Sequence, residues 1–180
     1  MSQRALPGAS RPGRYDRAMH VRPAMGPDAE AIRAIYNAAV ITSTATFDLV
    51  TRSASDQGAW MDAHQGAYTA VVAVDDDGMV TGFASISPYR DRAAYRTTVE
   101  DSVYVDASSR RNGVGRALLE ELLARATAHG FHSVIARIGE TNDASIGLHR
   151  TCGFELVGTE REVGRKFGRW LDVTVLQRML

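Results

Sequence analysis

Residues 97–126 set three kinds of local structure back to back, and few folds accommodate the sequence they make. "TTVEDSVYV" (97–105) is rich in β-branched residues and reads as a strand. "DASSRRNGVG" follows, and then a run with Leu118, Leu119, Leu122, Leu123 and Ala126 on one helical face and Glu120, Glu121 and Arg125 off it. Gly130 ends that helix. A strand, a glycine-bearing loop and an amphipathic helix in direct succession require a sheet with a helix laid across it, so the chain belongs to the layered α/β classes.

The rest of the chain fits such a layer. A short strand is expected over 19–24. A helix opening at Pro27 carries Ile32, Ile35, Tyr36, Ala39 and Val40 on one face, a hydroxyl-rich loop runs over 42–46, and a weaker helix covers 55–64. "AYTAVVAV" (67–74) and "MVTGFASISPY" (79–89) flank "DDDG", a hairpin signal. An arginine-rich loop over 90–96 leads into the central strand. After Gly130 come a strand over 131–138, a short helix over 142–150 stopped before Gly153, and two segments that read as a closing antiparallel pair. Gly147 inside that short helix costs roughly 1 kcal/mol relative to Ala. Residues 19–180 are therefore expected to form a single domain. Residues 1–18, rich in Arg, Pro and Gly and without apolar periodicity, are expected to be a disordered extension.

Composition narrows the function classes. The formal net charge is zero, which gives no bulk electrostatic case for nucleic acid. No apolar run approaches the ~18 residues that a membrane helix needs, and no membrane partner is expected. The single cysteine, Cys152, cannot form an internal disulfide, and no Cys/His cluster has zinc spacing, so no metal is expected. These features fit a cytoplasmic protein.

The loop at 110–115 has the chemistry of an anion cradle. Gly113 and Gly115 admit close backbone approach, the unpaired N–H groups of a helix start point outward, and Arg110, Arg111 and Arg116 add fork-shaped donors. Read blandly, the same residues are a solvated turn. A nucleoside-triphosphate loop needs Lys and Ser/Thr after the last glycine, where Arg116 and Ala117 stand. A dinucleotide fingerprint needs a third glycine and an acidic residue closing the next strand; that strand has none, and only Glu140 lies just beyond it.

The pattern Arg110-x-x-Gly113-x-Gly115, between a β-branched strand and an amphipathic helix, resembles the coenzyme A pyrophosphate loop of the GNAT acyltransferases. "YRTTVEDSVYV", "NDASIGLHRTCGF" and "VGRKFGRWLDV" sharpen the likeness to the phosphinothricin and methionine sulfoximine N-acetyltransferase branch, over residues 19–180. The resemblance implies an α/β (α+β) fold, a central mixed, mostly antiparallel twisted sheet flanked by helices. It also implies acetyl-CoA as co-substrate, a small amino-acid-like acceptor and a homodimer.

Carried over residue by residue, the resemblance makes Glu100 the general base, and Glu100 also borders the substrate. Asp101, next door and on the other face, is the second candidate. Val103, Tyr104 and Val105 offer backbone groups to the pantetheine arm. Arg110, Arg111, Asn112, Gly113, Val114, Gly115 and Arg116 cradle the pyrophosphate, and Asn142 and Ser145 bind the cofactor. His149 stands where most GNAT enzymes carry a tyrosine that protonates the departing thiolate; it either does so or organises substrate and water near Glu100. Phe47, Arg92, Ala93, Ala94, Tyr95 and Val173 line the substrate pocket. Lys166, Trp170 and Asp172 read as structural or dimer-forming, and Cys152 has no evident base to make it an acyl carrier. Two other readings stay open: acetylation of a peptide N-terminus or another amine, and a non-catalytic acyl-CoA-binding regulator.

Overall fold

The computed structural model describes residues 19–139 and 142–180. The extension read over 1–18, and Glu140, lie outside the described residues. The strands are β1 (Met19–Pro23), β2 (Ala70–Asp75), β3 (Val80–Pro88), β4 (Thr98–Val105), β5 (Ser133–Gly139), β6 (Glu155–Lys166) and β7 (Arg169–Met179). The helices are α1 (Ala29–Thr42), α2 (Ala54–Ala63), α3 (Val114–Ala128) and α4 (Asp143–Thr151). The strands form one seven-stranded sheet in the order β1-β2-β3-β4-β5-β7-β6. Every pairing is antiparallel except β4 with β5, which α3 connects as a crossover. The mixed, mostly antiparallel sheet expected from the sequence is the one observed.

Two apolar layers cover the sheet. On one face Leu118, Leu119, Leu122 and Ala126 of α3, all fully buried, pack against Val71, Ala84, Ile86, Val99 and Val134. On the other, Ile32, Ile35, Tyr36 and Val40 of α1 pack against Val72, Val74 and Phe83. Both helical stripes are those legible in the sequence. The helix expected to open at Pro27 begins instead with a 3-10 turn, Gly26–Asp28. There the Asp28 carboxylate is held bidentately by Arg22 (2.7 and 2.8 Å) and accepts the Met25 N–H. Helix α2, the weaker expectation, is started by a Ser53–Asp56 capping box.

The β6–β7 hairpin closes the sheet. Phe167 (φ 50°) and Gly168 (φ 77°) form its two-residue turn, with the positive φ at both positions that a type I′ turn requires. Strand β6 bulges between Glu160 and Gly164. Asp172 holds the bulge by accepting the Glu162 N–H at 2.8 Å. No helix among the described residues is long and apolar enough to cross a membrane.

Candidate active site

Strands β4 and β5 pair only where Thr98–Glu100 meets Ser133–Ile135. Beyond that point β4 stays with β3 as far as Val105, while β5 follows β7 to Gly139, so the two strands part. The Asp106 N–H donates to Thr81 O (2.9 Å). Antiparallel alternation then turns the backbone groups of Asp101, Val103 and Val105 away from β3, into the gap. A cavity of about 400 Å³ fills the gap, walled by residues 100–104 of β4, residues 136–139 of β5, the first turns of α4 and the loop after α1.

Glu100 and Arg137 face this cavity from β4 and β5. Burial pushes the half-buried Glu100 carboxyl up; Arg137 opposes that rise, while Asp101 and Glu160 reinforce it. A carboxyl raised towards neutrality accepts a proton more readily than an exposed one.

Asp101 and His149 meet on the opposite side of β4. His149 Nε2 lies 2.9 Å from Asp101 Oδ2, and His149 Nδ1 lies 2.7 Å from the Ser145 carbonyl. The side chains are 4% and 1% exposed. A carbonyl only accepts, so Nδ1 carries a hydrogen, and one further proton joins Nε2 to the carboxylate. Burial disfavours the charged ring, but Asp101 and the Ser145 carbonyl outweigh it and raise His149. The other carboxylate oxygen, Oδ1, is buried without a hydrogen-bond partner. Asn142 caps α4 by accepting the Ser145 N–H at 3.1 Å. Asn142, Ser145 and His149 thus reach the cavity from one side of α4 and its N-cap.

At the start of α3, Gly113 adopts φ 79° and Arg111 φ 65°, left-handed conformations that fold the loop back sharply. The first intrahelical bond runs from Ala117 N–H to Gly113 O, so the N–H groups of Val114, Gly115 and Arg116 precede the helical ladder. A Cβ on Gly115 would lie 3.2 Å from Leu148 and 3.6 Å from Val105, which shows how closely α3 begins against α4 and β4. Arg110 Nε donates to Val105 O (3.4 Å), and Arg116 pairs with Glu120 on the surface (2.7 Å). Arg110, Arg111 and Asn112 are exposed around this helix start. Outward amides, guanidinium groups and an open strand edge fit a pyrophosphate joined to an extended amide-bearing arm.

The loop after α1 roofs the other end of the cavity. Tyr36 donates to Asp48 Oδ2 (2.6 Å) and bonds Thr46 Oγ1 (3.0 Å). Lys166 is buried, and its Nζ donates to the Thr46 carbonyl at 2.7 Å. Burial lowers the pKa of that ammonium. A Cβ on Gly164 would overlap the Phe47 ring, and one on Gly139 would collide with the Thr44 carbonyl. These glycines are therefore the seats on which the loop rests. Phe47, 37% exposed, and Val173, 4% exposed, both line the cavity.

A match to the model of the acetyltransferase (GNAT) family spans residues 32–154. The chain belongs to the GNAT acetyltransferase family. It is 45% identical over 159 residues to the L-methionine sulfoximine/L-methionine sulfone acetyltransferase of Pseudomonas aeruginosa, covering 87% of this chain and 92% of that one. It is 40% identical over 161 residues to the phosphinothricin N-acetyltransferase of Alcaligenes faecalis, covering 89% and 82%. The structure of a GNAT phosphinothricin acetyltransferase from Sinorhizobium meliloti in complex with acetyl-CoA superposes with a TM-score of 0.87 at 42% identity, over 90% of this chain and 88% of that one. As a GNAT protein, this one is an enzyme, an N-acetyltransferase.

Within this GNAT chain the structure gathers Glu100, Val103, Tyr104, Asn142, Ser145, His149, Phe47 and Val173 at one cavity. It does not bring the four residues of the arginine-rich loop there. Arg92, Ala93 and Tyr95 line a separate shallow depression with Tyr68, Tyr89 and Arg90. Ala94 shares their exposed 3-10 turn, Ala93–Tyr95. Three residues of the GNAT site went unread in the sequence: Tyr36, Thr46 and Arg137. Arg137 had a signal, since a guanidinium inside a buried apolar strand is as out of place as the carboxylate of Glu100. Lys166 and Asp172 have internal structural roles, whereas Trp170 is 57% exposed.

Proposed function

We propose that the enzyme transfers the acetyl group of acetyl-CoA to the α-amino group of a small amino-acid analogue, of the type of phosphinothricin or methionine sulfoximine. The observation that carries this reading is the half-buried carboxyl of Glu100 facing the same cavity as the open backbone edge of β4. One group removes a proton from an amine, and the other receives an extended thioester beside it. The similarity to enzymes named for these two acceptors supports the acceptor class.

In this reading the amino acid arrives as an ammonium ion, and Glu100 takes its proton directly or through a water. The neutral amine attacks the thioester carbonyl within the ternary complex. The N–H of Val103, turned into the gap, stabilises the oxygen that becomes negative. Collapse breaks the carbon–sulfur bond, and the departing thiolate takes the proton that Asp101 and His149 hold between them. The second proton leaving the nitrogen returns to that pair, giving the amide and the free thiol, while Glu100 releases the first proton to solvent. Arg110, Arg111, Asn112, Gly113, Val114, Gly115 and Arg116 hold the pyrophosphate. Cys152 takes no part: its thiol is buried, and burial raises its pKa. The exposed Val163, Phe167 and Trp170 on the β6–β7 hairpin are the surface a second copy covers in a homodimer.

Mass spectrometry of reactions with acetyl-CoA and single acceptors tests the reading. The expected product is the N-acetyl amino acid. Modification confined to peptide N-termini would overturn it.

A further inference from the structure

An amino-acid acceptor brings a carboxylate as well as an amine, and the resemblance in sequence put one arginine, Arg92, on the acceptor pocket. Arg92 is exposed in the second depression. Among the described residues that line the Glu100 cavity, Arg137 is the only one with a guanidinium or ammonium group. Alternation along β5 places it opposite the core residues Ala136 and Ile138, which face α3. That puts Arg137 on the acceptor side of the sheet, where it is electrostatically coupled to Glu100.

Arg137 is also held in place. Its Nη1 donates to Glu160 Oε1 at 2.8 Å, and its Nη2 lies 2.6 Å from Glu160 Oε2. The Arg137 side chain remains 29% exposed. A guanidinium carries five N–H donors in a fixed plane, so one hydrogen bond and a close ion pair to Glu160 leave donors free elsewhere on it. Glu100 and Glu160 act on it electrostatically, as does Tyr89, while Arg90 acts on Glu100. A zwitterion fits this distribution, with its ammonium towards Glu100 and its carboxylate towards the free edge of Arg137.

We propose that Arg137, oriented by Glu160, is the receptor for the acceptor's carboxylate and the residue that restricts this enzyme to amino acids over simple amines. The inference rests on the acceptor class proposed above and adds the group that reads it. Glu160 is a positioning residue, which fixes the guanidinium plane without touching the acceptor.

The test compares methionine sulfone with its carboxamide as acceptors for the wild type, Arg137→Met, Arg137→Lys and Glu160→Gln, with melting temperatures recorded for each. For the acid, Arg137→Met is expected to lower kcat/KM roughly 10- to 100-fold, mainly through KM, as loss of a charge-assisted hydrogen bond implies. Turnover of the carboxamide should fall at least about fivefold less than that of the acid, its smaller loss reflecting the Glu100 carboxyl that Arg137 no longer holds down. Arg137→Lys, a point charge without the fork, should fall between the two. Glu160→Gln should raise KM for the acid alone. Equal losses for acid and carboxamide in Arg137→Met and Glu160→Gln would overturn the proposal and make the pair a strut between strands. A wild type that turns over both compounds equally well would overturn it too, while leaving the N-acetyltransferase reading intact. A wild type that acetylates neither, nor any other small amino acid, would overturn both.

Discussion

His149 Nε2 and Asp101 Oδ2 are 2.9 Å apart in a setting from which solvent is excluded, and the ring's other nitrogen is committed to the Ser145 carbonyl. Folding therefore makes this imidazole a tighter proton binder than it is in the unfolded chain. The stability it contributes is complete below the unfolded histidine pKa, about 6.5. That contribution is lost as pH rises from there through the higher folded value. Asp101→Asn is expected to lower stability by about 1.5–3 kcal/mol at pH 5.5–6, the range for hydrogen bonds to charged groups. The gap between wild type and variant should narrow towards pH 9. Chemical denaturation across that range measures it, and a gap independent of pH would contradict the shared-proton account.

Gly164 gives the Phe47 ring its seat, and Gly139 does the same for the Thr44 carbonyl. Gly164→Ala should push the ring off β6 and unseat the roof of the acceptor end. The expected kinetic signature is an acceptor KM raised about tenfold with the acetyl-CoA KM held within about twofold. Initial-rate kinetics with each substrate varied in turn separates the two. Equal changes in both constants would mean that the loop does not divide the cavity as described.

Cys152 is buried and its thiol is held in the protonated form. Thiolate, not thiol, is the nucleophile, so an acetyl-cysteine intermediate has no physical support here. Cys152→Ala should keep turnover within about threefold of wild type, and the initial-velocity pattern should be intersecting. Parallel lines, the signature of a ping-pong route through an acyl-enzyme, would contradict direct transfer.

Strands, both helical faces and the glycine turn were legible because each rests on local periodicity or backbone demand: Leu118 to Ala126 at helical spacing, β-branched residues at 97–105, and φ 79° at Gly113. Glu100 was legible as a charge out of place. The partnership of His149 with Asp101 was not, because 48 residues separate them and only the packing of α4 against β4 joins them. The roles of Lys166 and Asp172 were hidden for the same reason: the Lys166 bond to Thr46 spans 120 residues. Arg92 was read from its resemblance to family positions; its loop, with the turn at Ala93–Tyr95, lines a depression of its own beside Tyr89 and Arg90.

The account turns on Glu100. Burial raises its pKa, and a base must be deprotonated to act, so wild-type kcat/KM should climb with pH through an inflection above the ordinary glutamate value of about 4.3. The decisive measurement is thiol release from acetyl-CoA, for wild type and Glu100→Gln, across L-phosphinothricin, methionine sulfoximine, methionine sulfone, ordinary L-amino acids and a peptide amine. The account predicts turnover restricted to amino-acid acceptors, with kcat reduced roughly 10²- to 10⁴-fold in the variant and the inflection abolished. Undiminished turnover by Glu100→Gln, or tight acetyl-CoA binding without transfer to any amine, would contradict it.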